Sequence, residues 1–286
     1  MKMNKAEFRN AILATSAVTG FSPALVEKDY HCSVILKKIY ENDFLEENLI
    51  FKGGTLLAKC YLNFFRMSED LDFSVRDELC GERKDRRRLA DALRAIIPDL
   101  LAEAGFREVS PLRGFNESRQ YNAVFGYESI SMPEDTIKFE VGFRGDLMLP
   151  PLRQPLQTLL QDAYNPGRLA FPSFEALVLS NQEAYAEKVR AAFSRQTPAI
   201  RDFYDITAIA NSGFDLTASD FVELVGRKLA ADTGAQIDLS KGKRLALQER
   251  IHGELHGVLK TGESFTLDAS WKILEVIAEK IQERGD

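Results

Sequence analysis

Residues 49–75 read LIFKGGTLLAKCYLNFFRMSEDLDFSV. An apolar run ends in Lys52-Gly53-Gly54-Thr55, an amphipathic segment follows, and Arg66-Met67-Ser68 leads into Asp70-Leu71-Asp72-Phe73. The pattern predicts strand, glycine turn, helix, strand. Glycines at 53 and 54 let backbone N–H groups approach an anion with no Cβ in the way, and a helix start just after them adds a favourable dipole. In the second strand alternate side chains share a face, so Asp70 and Asp72 point one way while Leu71 and Phe73 enter the core. Two neighbouring carboxylates repel unless a cation lies between them, which makes a Mg²⁺ site the economical reading. Taken singly, a D-x-D pair facing water or a Gly-Gly-Thr turn is commonplace; their order and spacing here are what point to phosphate and metal.

The chain has 286 residues, 45% of them apolar, enough for one large domain or two modest ones. Its net charge of −6 argues against a general polyanion binder, so any nucleic-acid contact must be local. Three cysteines, Cys32, Cys60 and Cys80, and three histidines show no zinc or disulfide spacing. No run approaches the roughly 20 apolar residues of a membrane span, and the N-terminus lacks a leader pattern, so a cytoplasmic protein is expected.

Toward the N-terminus, residues 4–20 read as a helix. Ser22-Pro23 then caps a second, whose segment Glu27-Lys28-Asp29-Tyr30 reads as a solvated face with ion pairs. Downstream, Arg83-Lys84-Asp85-Arg86-Arg87-Arg88 opens an apolar-striped helix; positive charge there opposes the helix dipole, leaving a phosphate contact and an ordinary solvated run as alternatives. Residues 106–150 read as strands. In Thr136-Ile137-Lys138-Phe139-Glu140-Val141-Gly142-Phe143 the apolar residues share one face and Lys138, Glu140 and Gly142 the other. Prolines 150, 151 and 155 and Asn165-Pro166-Gly167 predict an irregular connection over 144–172, apart from an apolar turn near 156–160. An almost wholly helical region is expected from Pro172 onward, beginning with a helix capped by Ser173 and running to about Ser194. A domain break near 170 follows, giving domains 1–170 and 171–286. On spacing alone Lys188 reads as a solvated helical lysine and Asp202 as a residue suited to its helix start. Lys241-Gly242-Lys243-Arg244 is expected in a loop.

The pattern Lys52-Gly53-Gly54-Thr55, Arg66, Ser68, Asp70 and Asp72 resembles the signature of polymerase-β-like nucleotidyltransferases, specifically the AbiEii/AbiGii toxin branch. Glu27-Lys28-Asp29-Tyr30, Lys188 and Arg201-Asp202-Phe203-Tyr204-Asp205 extend the resemblance over residues 27–205. It implies an α+β fold, a nucleotidyltransferase domain with a mixed sheet flanked by helices, followed by a helical domain. It also implies an NTP substrate held by Lys52, Gly53, Gly54, Thr55, Arg66, Ser68 and Lys188. Mg²⁺ or Mn²⁺ would be bound by Asp70 and Asp72 with Glu140 as third carboxylate. Catalysis would use Ser68, Asp70, Asp72, Lys188 and Asp202, with Lys188 neutralising the triphosphate and Asp202 orienting it or the nucleophile. The implied partners are an RNA acceptor, the acceptor end of tRNA, and a cognate antitoxin protein. Two competing readings stand beside it: transfer to a protein or small-molecule (antibiotic) hydroxyl, and a non-catalytic binding module retaining the fold.

Overall fold

In the computed structural model, which describes residues 3–165, 167–232, 234–255 and 257–284, the chain forms two compact units. One comprises residues 1–147 and 151–179, the other 148–150 and 180–286.

The first unit is built on a seven-stranded mixed sheet. Its strands are β1 (Leu49–Lys52), β2 (Asp70–Val75), β3 (Arg107–Phe115), β4 (Gln120–Tyr127), β5 (Asp135–Gly142), β6 (Leu152–Leu156) and β7 (Phe174–Val178), in the order β3-β4-β5-β2-β1-β7-β6. The β1–β2 pair is antiparallel, whereas β2–β5 and β1–β7 are parallel. One face is apolar: Phe51, Phe73, Phe139 and Phe125 form a chain of ring contacts with centroids 4.8 to 6.0 Å apart, all fully buried. Helix α1 (Lys5–Thr19) opens on a capping box at Asn4 and Glu7, and α2 (Pro23–Tyr40) on Ser22. At its far end α2 crosses the sheet, where the Tyr40 hydroxyl meets the carbonyls of Leu49 in β1 and Leu177 in β7. Short α3 (Asp43–Asn48) leads into β1, and α4 (Gly53–Leu56) follows it, passing into a π-helical turn at Leu57–Tyr61. Helix α5 (Arg83–Glu103) buries Leu89, Leu93, Ile97 and Leu101, and its Arg94 binds the Leu112 carbonyl.

The second unit carries α6 (Asn181–Ser194), α7 (Ile200–Asn211), α8 (Ser219–Ala231), α9 (Lys241–Arg250) and α10 (Asp268–Glu283). Ile206, Ile209, Val222, Val225, Leu274 and Ile277 form its core, with Phe203 stacked on Trp271.

Three local expectations are corrected. Phe174–Val178 is a strand, so the helix expected from Ser173 starts instead at Asn181 with Ser180 as its cap. Within the connection expected to be irregular, Leu152–Leu156 pairs with that strand as the sheet's edge, where Pro155 is tolerated. Pro166 of the expected Asn-Pro-Gly turn lies outside the described residues. Lys241-Gly242-Lys243-Arg244 is the first turn of α9, capped by Ser240, and Lys243 is buried with its ammonium on the Phe193 carbonyl.

On α2, His31 stacks on Tyr127 at 3.9 Å and meets Phe8, Tyr30 and Phe106 edge-on. Burial pushes its pKa down to about 4, against the opposing pull of Glu27 and Asp135. Between about pH 6.5 and 4 the unfolded chain therefore binds a proton that the folded one refuses. Stability should fall as pH drops through that window, by up to about 3 kcal/mol from this group. Urea unfolding at pH 7, 5 and 4 checks this; a His31→Phe variant with the same pH slope as wild type would refute it.

Candidate active site

Strand β2 alternates as its sequence demands: Leu71 and Phe73 are fully buried, while Asp70 and Asp72 sit half-buried on the other face. Register then does what local sequence cannot. Lys52 of β1 lies directly opposite Asp72, and Glu140 of β5 lies directly opposite Asp72 on the other side. Adjacent strands are ~4.8 Å apart and directly opposed residues share a face, so Lys52, Asp72 and Glu140 form one row. The row continues into Asn122 of β4 and Arg113 of β3, and Asp70 stands in the next row beside Lys138.

The glycine turn is packed against this row. Gly53 has φ +81°, and a Cβ there would lie 2.1 Å from Asp72 Oδ2. A Cβ on Gly54 would lie 2.9 Å from both Ser68 Oγ and Arg66 Nη2, so the serine hydroxyl and the guanidinium abut the turn. Thr55 is buried and its hydroxyl donates to the Asp70 carbonyl at 2.6 Å, tying turn to strand. Arg66 is buried as well, donating to the Met67 carbonyl at 2.8 Å with its guanidinium by the Phe65 ring.

Among the described residues no three His, Cys, Asp or Glu side chains are grouped so that they could hold a metal ion, so Glu140, though opposite Asp72 in register, does not close a three-carboxylate site with Asp70 and Asp72. Mg²⁺ is ordinarily held by one or two carboxylates together with substrate phosphates, and an all-oxygen pair beside a Cβ-free turn fits such an ion. Asp70 and Asp72, with Glu140 alongside, are the residues that would hold it.

In the helical unit, Lys188 of α6 places its ammonium 3.0 Å from Asp202 and 2.9 Å from Asp205, both on α7 and both buried. Arg195 also binds Asp202, at 2.9 Å. The solvated reading of Lys188 gives way to a cluster in which two carboxylates face two cations. Asp205, three residues after Asp202 and so on the same helix face, had no role assigned from sequence. Nor had Glu183 and Lys228, which form a fully buried pair at 2.6 Å. In the basic run, Arg86 turns inward to the carbonyls of Cys80 and Gly81, leaving Arg83, Lys84, Arg87 and Arg88 exposed.

The solvated face expected for Glu27-Lys28-Asp29-Tyr30 is overturned. Glu27 and Asp29 are 1% and 4% exposed, and Lys28 is bound to Glu69 and Asp135. The legible signal was the width of the apolar stripe on α2. Leu25, Val26, Cys32, Ile35, Leu36 and Ile39 leave little circumference for solvent, and charges on such a helix must find partners.

In a comparison with solved structures, the chain is similar to MenT4, a nucleotidyltransferase toxin from Mycobacterium tuberculosis, with a TM-score of 0.59 and 19% identity over 99% of this chain and 90% of that one. At that identity the likeness concerns the fold. A comparison with curated protein sequences returned no match. The family model described as nucleotidyl transferase AbiEii toxin, type IV toxin–antitoxin system, matches residues 34–281, and the chain belongs to that family of nucleotidyltransferase toxins.

Proposed function

We propose that this nucleotidyltransferase toxin moves a nucleoside monophosphate from an NTP to an RNA hydroxyl at the acceptor end of tRNA, in the cytoplasm, under restraint by a cognate antitoxin protein. The observation that carries the transfer chemistry is the register of Lys52, Asp72 and Glu140 in one row, with Gly53 pressed against Asp72. A Mg²⁺ or Mn²⁺ ion at Asp70 and Asp72, with Glu140 beside them, would supply a Lewis acid that lowers the acceptor hydroxyl's pKa and offsets charge on the departing pyrophosphate.

The chain's own groups do the rest. Backbone N–H groups around Gly53 and Gly54 meet phosphate oxygens at a turn whose missing side chains let it pack against Asp72, Arg66 and Ser68, and Ser68 Oγ, abutting Gly54, donates to the same phosphates. Thr55 and Arg66 act from beneath: the first anchors the Asp70 carbonyl, the second the Met67 carbonyl, and both fix the turn on which the phosphates rest. Lys52 balances charge along the carboxylate row. Lys188, a triphosphate ligand by the family resemblance, is held as an oriented N–H donor by Asp202 and Asp205 within its own unit.

An RNA acceptor is favoured by the surface beyond the carboxylates. The same sheet face runs through Asn122 and Gln120 of β4 to exposed Arg113 and to Phe115, which is 50% exposed on β3. An arginine and an aromatic ring on an open face suit phosphate contact and base stacking by an unpaired end. Among the described residues no helix is long and apolar enough to cross a membrane.

The test incubates purified protein with total tRNA, Mg²⁺ and each α-³²P-labelled NTP in turn, with Asp70→Ala as the background control. Label entering tRNA with wild type alone, from one NTP, supports the reading and names the nucleotide. No label from any NTP overturns the RNA acceptor and directs the search to protein and antibiotic hydroxyls.

A further inference from the structure

Three consecutive charged residues of α2 each take hold of a different element of the first unit, from the side of the sheet opposite the carboxylate row. Glu27 accepts from Ser129 Oγ at 2.9 Å and from the backbone N–H groups of Ile130 and Ser131, fixing the loop that joins β4 to β5. Lys28 donates to Glu69 at 2.8 Å and to Asp135 at 3.2 Å. Glu69 immediately precedes Asp70 at the start of β2, and Asp135 is the first residue of β5, the strand of Glu140. Asp29 binds Lys59 at 2.7 Å, and Lys59 also donates to Ser33 at 2.8 Å; Lys59 lies in the π-helical turn that continues the Gly53-Gly54-Thr55 element. Successive helical residues are about 100° apart, which is how neighbours in sequence can reach three separate elements.

We infer that Glu27-Lys28-Asp29 is a positioning clamp for nucleotidyl transfer. Lys28 sets the starts of β2 and β5 against each other, and with them Asp70 and Asp72 relative to Glu140. The Asp29–Lys59 pair sets the height of the glycine turn over the same row. The two contacts therefore govern different quantities: Lys28 the chemical step, Asp29 the hold on the NTP. A hydrophobic packing role would not require charge, since buried ion pairs add little to stability over well-packed apolar residues. Nor would it require two carboxylate partners lying at the starts of these particular strands. The inference concerns transfer itself and is independent of which acceptor is used.

The test takes the full chain as wild type, Lys28→Gln, Lys28→Arg and Asp29→Asn. It records kcat, KM for the NTP, melting temperature, and growth arrest on induced expression without antitoxin. Lys28→Gln should lower kcat about 10- to 100-fold with KM within about twofold, the range expected for a misplaced reacting group. Lys28→Arg, which keeps the charge and both partners, should recover most of the rate and restore growth arrest. Asp29→Asn should raise KM about tenfold with kcat less affected, a loosening of binding rather than of chemistry; if it does not fold, Lys59→Arg reads the same contact. Wild-type kcat in Lys28→Gln would overturn the clamp. So would a joint loss of kcat, KM and melting temperature that Lys28→Arg fails to mend. If wild type labels no tRNA, the acceptor reading has failed, and growth arrest still decides between clamp and scaffold.

Discussion

Gly53→Ala is expected to lower nucleotidyl transfer by at least about 100-fold while the protein still folds, because a displacement of about 1 Å at a reacting group costs that much. Two effects meet at this position. The backbone at φ +81° is a left-handed conformation that costs an L-residue roughly 1–2 kcal/mol. The added Cβ would fall 2.1 Å from Asp72 Oδ2, so the carboxylate must swing aside. Strain and displacement are separable by a control. Gly105 has φ +91° with nothing within 4 Å of where a Cβ would stand, so Gly105→Ala carries the backbone strain alone. Gly53→Ala should lose at least as much stability as Gly105→Ala in thermal melts, and only Gly53→Ala should lose transfer. Gly54→Ala should fall between them, since the Cβ it adds would meet Ser68 Oγ and Arg66 Nη2 at 2.9 Å, a milder approach than the 2.1 Å at Gly53. Equal activity in Gly53→Ala and Gly105→Ala would sink the assignment of this turn to the site.

What could be read from sequence was whatever local periodicity and turn chemistry determine. The run from β1 through the glycines to β2 was legible because glycine pairing and period-two alternation are properties of neighbouring residues. Glu140 was legible as a polar position on a strand, but its place opposite Asp72 depends on a parallel β2–β5 pairing between residues far apart in the chain. Strand β7 was hidden for the opposite reason. Phe174-Glu175-Ala176-Leu177-Val178 contains strong helix formers behind a serine that resembles a cap, and pairing with β1 and β6 overrides that propensity. Its partner Leu152–Leu156 is mostly exposed and contains proline, which is acceptable only because it is an edge. The charged residues of α2 were misread because a solvated charge and a buried paired one look alike until the partners, Lys59, Glu69, Asp135 and the 129–131 loop, are brought in by the fold.

Lys228→Met is expected to destabilise the helical unit by about 3–5 kcal/mol, the usual cost of stripping one partner from a buried pair. Lys228 on α8 and Glu183 in the first turn of α6 have side chains 1% and 0% exposed, with 2.6 Å between charged atoms. Glu183 also accepts from the backbone N–H groups of Met148 and Leu149 at 3.0 and 3.1 Å, so it is fixed in place and cannot turn to water when its cation is removed. The double variant Glu183→Gln with Lys228→Met should recover part of the loss, because it removes the fully buried stranded charge while the amide can still accept from those N–H groups; Glu187, 3.5 Å from the lost ammonium and 15% exposed, still loses its partner. Lys5→Met makes the comparison: its pair with Glu128 is 79% and 75% exposed, and its loss should leave unfolding unchanged. Denaturant unfolding followed by Trp271, which stacks on Phe203 in the helical unit, reads the Lys228 variants, and circular dichroism of the whole chain reads Lys5→Met. A loss below about 1 kcal/mol for Lys228→Met would mean that water reaches the pair and screens it, against its burial. The pair matters beyond stability because α6 also carries Lys188, five residues on from Glu183. A helix whose first turn is anchored by a buried ion pair presents that lysine to Asp202 and Asp205 from a fixed support, so Lys228→Met should also loosen the Lys188 cluster at temperatures well below its own unfolding transition.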